Sequence, residues 1–119
     1  MTESRAGQTG PEIAAIVASL AEQKARDVAI YRFSGHNAVA DACILATATS
    51  GRHARGLADA ALKARKESGQ DFLHMEGYAN GQWILVDCND LIVHIFQEEA
   101  RGLYRLDDLY RHEASEVLP

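Results

Sequence analysis

Between Trp83 and Phe96 the chain reads WILVDCNDLIVHIF, a unit rich in residue types that do chemistry. Asp87 and Asp90 flank a turn, His94 stands inside an apolar run, and Trp83 stands at the front. Carboxylates and an imidazole are the donors of metal sites and of general acid–base catalysis. Their spacing favours neither, because the D-x-x-D pair meets His94 only if the fold brings them together. Aspartates beside a turn also have a plain use, bonding to nearby backbone. A histidine among apolar neighbours is ordinarily a hydrogen-bonded core residue. The five histidines, His36, His53, His74, His94 and His112, include no H-x-H or H-x-x-x-H pair. No metal site and no cofactor is therefore expected.

Nucleophilic chemistry is equally unsupported. Cys43 and Cys88 lie in apolar runs without the basic neighbours of an activated thiolate, and no G-x-S-x-G elbow is present. No catalytic residue is expected. ATATSGRH, Ala46 to His53, is subtler: Ser50 and Gly51 stand where a strand meets a helix, with Arg52 and His53 in the first turn. Free N–H groups with Ser50, Arg52 and His53 could hold an anion there. The plainer reading makes Ser50 a helix N-cap. Arg52, Arg55, Lys63, Arg65 and Lys66 form a mildly basic stripe, read as a solvated face.

The elements that must position these residues follow from periodicity. Thr9 to Glu12 can form a capping box, and Ile13, Ile16, Val17 and Leu20 recur at helical spacing, predicting a helix over 11–25. Strands are expected over 27–33 and 39–48, then a helix from Ser50 to a stop at Gly69. A strand over 72–78, the Asn80-Gly81 turn signal and a strand over 82–87 come next. Leu91 to Phe96 closes a hairpin with that strand across Cys88-Asn89-Asp90. QEEARGLYRLDDLY ends the series as a helix that breaks near Arg105, with Ala100, Leu103 and Tyr104 facing inward. Leu106, Leu109 and Tyr110 belong to a final short turn, and no strand is expected after His112. The order α-β-β-α-β-β-β-α predicts a single α/β domain, a mixed sheet of about five strands packed by helices.

Strand alternation puts Trp83, Leu85 and Asp87 on one side and Ile84 and Val86 on the other. Both sides are apolar, so helices must cover one, and the other is either covered too or left as a sticky face. An open apolar face with an acidic rim suits a protein interface. Trp83 is thus either a core residue or an interface anchor, and Arg101, Tyr104 and Tyr110 are of the types that anchor interfaces.

At 119 residues and net charge −5, the chain affords one core and argues against a general phosphate-backbone binder. Two unpaired cysteines fit a reducing compartment, and Met1 to Gly10 lacks the apolar stretch of a signal peptide. The expectation is a cytoplasmic protein with no membrane segment. Residues 1–10 are expected as a flexible tail, 11–112 as the domain and 113–119 as a second tail.

Asp41 with TATSGRH, then LADAAL, then EGYANGQWILVDCNDLIVHIFQEEARGLYRLDDLY together resemble the ribosome silencing factor, or Iojap, family. The resemblance runs from about Ile13 to Tyr110. Its most specific part is Glu76-Gly77, Trp83, Asp87, Val93-His94, Glu98 or Glu99, Arg101, Tyr104 and Leu106 in register. It implies a nucleotidyltransferase-like fold without catalysis. Active members of that fold carry a Gly-Ser turn and D-x-D acids, and this chain has Ser34-Gly35, Ser50-Gly51 and D-x-x-D instead. It also implies binding to the large ribosomal subunit through ribosomal protein L fourteen. The bound factor would block joining of the small subunit, repress translation when nutrients fall and assist large-subunit maturation. Trp83, Leu85, Asp87 and Asp90 are carried over as the docking face and rim, with His94, Arg101 and Tyr104 near it. Arg101 and Tyr104 have the alternative role of clamping the last helix to the sheet.

The chain departs from the family pattern at Ala48, where Gly is usual, at Cys88-Asn89, where Leu-Gly is common, and at Tyr110, where Trp is frequent. Asn89 preserves a left-handed turn. His36-Asn37-Ala38 is unlike the family's usual small-hydroxyl segment. Two competing readings stand beside docking. One is a divergent nucleotidyltransferase using Asp41 and Ser50; the other is an RNA binder acting through the second helix. A free homodimer through the sticky sheet face is a further expectation.

Overall fold

The computed structural model describes residues 2–34 and 40–118, with residues 2–9 as backbone alone. His36-Asn37-Ala38 and Val39 lie outside the described residues. Ten elements follow one another: α1 (Thr2–Glu22), β1 (Arg26–Arg32), β2 (Ala42–Ala48), α2 (Gly51–Glu67), β3 (His74–Glu76), β4 (Trp83–Asp87), β5 (Leu91–Gln97), α3 (Glu98–Tyr104), α4 (Leu106–Glu113) and β6 (Glu116–Leu118). The domain is mixed α/β, as the element order predicts.

The strands form one sheet in the order β3-β4-β5-β2-β1-β6. Only β2 and β5 run parallel; the other pairs are antiparallel. All residues of β2 are buried, as a central strand covered on both faces requires, and this explains a run that is apolar but for Thr47.

α1 and α2 cover one face. Ile13, Ile16 and Leu20 pack with Ala54, Leu57, Ala58 and Ala61 on Ile44, Ile84, Val93 and Ile95. The alanines let α2 lie close to the sheet. α1 begins well before the expected start, so Thr9 lies inside the helix and does not cap it, and Pro11 is internal. Proline removes one backbone donor there, and among the described side chains of α1 the buried ones are Ile13, Ile16 and Leu20.

α3 and α4 cover part of the opposite face. The break between them falls at Arg105, whose φ is 55°, where the sequence predicts one. Gly102 supports no break. Ala100 is buried as expected, but Leu103 is 72% exposed and Tyr104 53%. The inward assignment of those two fails because the helix rests on Ala100 and Arg101, which leaves Leu103 in solvent and Tyr104 at the margin against Trp83.

β6 is a strand the sequence does not predict. It pairs with Ile30, Tyr31 and Arg32 at the sheet edge, and Arg32 meets Glu116 at 3.4 Å. Three residues carry too little periodicity to be read. The hairpin signalled by Asn80-Gly81 is present: β3 and β4 pair antiparallel, joined by a loop over residues 77–82 with positive φ at Gly77 and Gly81. A Cβ on Gly77 would lie 2.1 Å from the Trp83 carbonyl oxygen, so only glycine lets the chain cross there.

Candidate docking face and its supports

Register settles which side chains meet. Trp83, Leu85 and Asp87 lie across from Phe96, His94 and Ile92 on one face, while Ile84 and Val86 point into the core under α2. The three β4 residues are half-buried, because α3 and α4 stop short of the β3–β4 edge. Trp83 packs on Phe96 with ring centroids 4.9 Å apart and on Tyr104 at 4.7 Å. Trp83, Leu85 and the exposed Tyr104 therefore form an apolar strip continuous with the core. Asp87 ends it, its Oδ1 accepting the Asn89 N–H at 2.9 Å. Asn89 has φ 78°, the left-handed turn its residue type allows.

The other expected site residues are placed differently. Asp90 does not stand free at the rim: its carboxylate meets Arg65 at 2.9 Å. Arg65 is no member of a solvated stripe. It is 5% exposed and also bonds the Asp71 and Cys88 carbonyls and Glu12. One signal could have shown this, since Arg65 continues the buried spacing Ala54, Ala58, Ala61. Burial raises the Glu12 carboxyl above its ordinary range; Asp90 adds to the effect and Arg65 opposes it.

Arg101 takes its clamping role. Its Nε and Nη2 donate to the two Asp107 oxygens at 2.9 and 2.8 Å, and Nη1 donates to Thr47 Oγ1 and the Asp27 carbonyl. Asp27 sits at an irregularity in β1, φ 49°, that turns its carbonyl toward the arginine. Tyr31 donates to Asp107 at 2.7 Å. Asp107 is held below the ordinary carboxylate range, first by its bonds from Arg101.

His94 is 3% exposed, so a partner cannot touch it. Its Nδ1 accepts the Trp83 indole N–H at 3.1 Å, and its Nε2 lies 3.1 Å from Tyr110 Oη. Burial lowers its pKa to about 4. Tyr110 in turn bonds Cys43, whose thiol burial pushes up to about 11. The sequence carries no sign of these contacts.

At the start of α2, Ser50 is the N-cap and accepts the His53 N–H at 3.0 Å. His53 is occupied on both ring nitrogens, by the Thr49 N–H at 2.9 Å and the Gln23 carbonyl at 2.7 Å. Arg52 points to solvent. These three residues are not gathered into an anion cradle. The carboxyl ends of parallel β2 and β5, where open α/β sheets bind ligands, are filled by the 77–82 loop. A Cβ on Gly81 would come within 2.8 Å of Gly51 Cα, and Gln97 and Arg55 donate to the Gly81 and Ala79 carbonyls at 3.0 and 3.2 Å. Asp41 and Ser50 flank opposite ends of β2, which a strand rise of about 3.3 Å per residue puts roughly 20 Å apart or more. Among the described residues no group of three or more His, Cys, Asp or Glu is placed to hold a metal. Nor is any described helix long and apolar enough to cross a membrane.

Comparison with known proteins adds the context. The family described as "Ribosomal silencing factor during starvation" matches residues 7–118. Ribosomal silencing factor RsfS of Haemophilus influenzae is 33% identical over 73% of this chain and 85% of its own. Protein Iojap-related, mitochondrial, of Arabidopsis thaliana is 33% identical over 90% of this chain and 59% of its own. A mouse relative, 24% identical over 83% of this chain and 45% of its own, is named for mitochondrial assembly of the ribosomal large subunit. A crystal structure from Chromobacterium violaceum superposes with TM-score 0.82 at 27% identity, covering 86% of this chain and 85% of that one. With sequence and fold in agreement over nearly its whole length, the chain belongs to the ribosomal silencing factor family.

Proposed function

We propose that this protein is a non-catalytic ribosomal silencing factor. It docks on the large ribosomal subunit through the strip of Trp83, Leu85 and Tyr104, meets ribosomal protein L fourteen there, and excludes the small subunit by its volume. Repression of translation under nutrient limitation and help in large-subunit maturation follow from that position. The observation that carries the reading is the half-open strip, where a tryptophan and an exposed tyrosine stack at the edge of the sheet. Such aromatic clusters are the usual anchors of protein interfaces. The net charge of −5 suits a basic protein partner and disfavours bare RNA. Enzymatic use of Asp41 and Ser50 finds no support, since they lie at opposite ends of β2. RNA binding through α2 loses Arg65 to the interior and Arg55 to the Ala79 carbonyl.

The test is sedimentation with separated subunits, then with small subunits added under joining conditions. The protein should travel with large subunits alone and lower the joined fraction. Trp83→Ala should weaken binding by about 2–4 kcal/mol while the protein stays folded. A protein that remains at the top of the gradient sinks the reading. The same strip is the surface for a homodimer when no ribosome is present; light scattering that shows only monomer at high micromolar concentration removes that part.

A further inference from the structure

Trp83 offers a partner a ring whose one polar atom is already engaged inside the protein. Its Nε1–H donates to His94 Nδ1 at 3.1 Å. A neutral imidazole has a single N–H, so an accepting Nδ1 puts the proton on Nε2. That proton is donated to Tyr110 Oη at 3.1 Å, and Tyr110 bonds the Cys43 thiol. The relay thus has one direction, from the β4 surface through β5 to α4 and back to β2. His94 lies between Leu85 and Leu45 in the sheet and is 3% exposed.

We propose that His94 is a positioning residue for docking. It fixes the ring plane of Trp83 with the N–H edge inward, and Tyr110 sets the tautomer that makes this possible. The proposal rests on the reading of Trp83 as a docking anchor. Its consequence is that the partner meets an apolar, preoriented part of the ring and supplies no acceptor to the indole. Preorientation lowers the ordering cost of association.

Trp83 is the single tryptophan, so intrinsic fluorescence reports this site alone. The experiment records the emission of the free full chain for the variants that keep Trp83, and measures binding to isolated large ribosomal subunits by sedimentation for all four. His94→Leu removes the acceptor and should shift the emission and weaken binding about tenfold. His94→Asn puts an amide oxygen near the Nδ1 position and should recover binding to within about threefold of the parent. Tyr110→Phe keeps the ring and deletes the tautomer-setting oxygen; a loss of about threefold is expected, with emission moving the same way. If circular dichroism shows His94→Leu unfolded, Tyr110→Phe decides. The fourth variant, Trp83→Ala, separates the two claims. If it binds like the parent, the docking reading falls and this proposal with it. If it binds poorly while folded His94→Leu and Tyr110→Phe match the parent in affinity and emission, the positioning role alone is overturned. A His94→Asn variant that binds no better than His94→Leu, with emission unmoved in both, overturns it as well.

Discussion

The two faces of the sheet are built by different physics. Under α1 and α2, Ile16, Leu20, Ile44, Leu57, Ile84, Val93 and Ile95 are each at most 1% exposed, and the helices are long enough to bury whole apolar stripes. Under α3 and α4, Ala100 is the one buried residue of the two helices. Those short helices supply less area, Ala100, Leu106 and Tyr110 packing on Tyr31, Leu45 and Phe96, and directional bonds add to it: Arg101 and Tyr31 on Asp107, and His94 on Tyr110. Burial is indifferent to fine geometry, whereas hydrogen bonds fix orientation. The second face accordingly leaves the β3–β4 edge open and holds Trp83 in one pose. A closed face gives stability, and a face held by polar contacts leaves room for a partner.

The comparison breaks most readily at Arg65, which pins the closed face to the β4–β5 turn. Arg65→Ala removes a guanidinium that is itself 5% exposed and takes their cationic partner from Asp90 and Glu12, and a donor from the Asp71 and Cys88 carbonyls. It should cost about 3–5 kcal/mol in urea denaturation; a cost below about 1 kcal/mol would show that the turn is held by its backbone alone. Leu57→Ala, under the centre of the same face, should cost about 2–5 kcal/mol. Subunit binding should stay at the parent's level wherever the variant is folded.

The open face should lose stability in acid, whereas Glu12 on the closed face, held above its ordinary range by burial, works in the opposite direction. His94 has a folded pKa of about 4 against an ordinary 6.5. Its contribution is fully present above about pH 6.5 and declines as pH falls toward 4, because the unfolded chain takes up a proton the folded one refuses. The full loss is about 3 kcal/mol at 1.36 kcal/mol per unit. Asp107, also held low, adds a loss in the same direction at still lower pH. Denaturation at pH 7 and pH 4.5 in the parent and in His94→Asn measures the histidine part, and equal slopes would refute it. At the small end, Leu103→Ser should change stability by less than about 0.5 kcal/mol, because the side chain is 72% exposed. Weaker subunit binding by this variant would extend the docking strip along α3.

Much of this was legible in the residues because it is local. Alternation separates Trp83 and Leu85 from Ile84 and Val86; Ser50 marks the start of α2, and Asn89 takes its left-handed turn. The candidate site was legible in part. Trp83, Leu85 and Asp87 do share a face, and Tyr104 joins Trp83, but Asp90, His94 and Arg101 are held by Arg65, Tyr110 and Asp107. Serine, arginine and histidine at α2's start have the composition of an anion site, but His53 is occupied at both nitrogens.

What the sequence by itself determined was the α/β order, the closed core stripe, the break at Arg105 and the family, since helix and strand periods and turn residues act within a few positions. What only the tertiary structure decided was partnership. His94 meets a residue 16 positions away, Arg101 reaches Thr47 across 54, Tyr31 reaches Asp107 across 76, and β6 exists because β1 offers it an edge. A hydrogen bond depends on where two distant segments come to lie, and no local pattern in either segment carries that information.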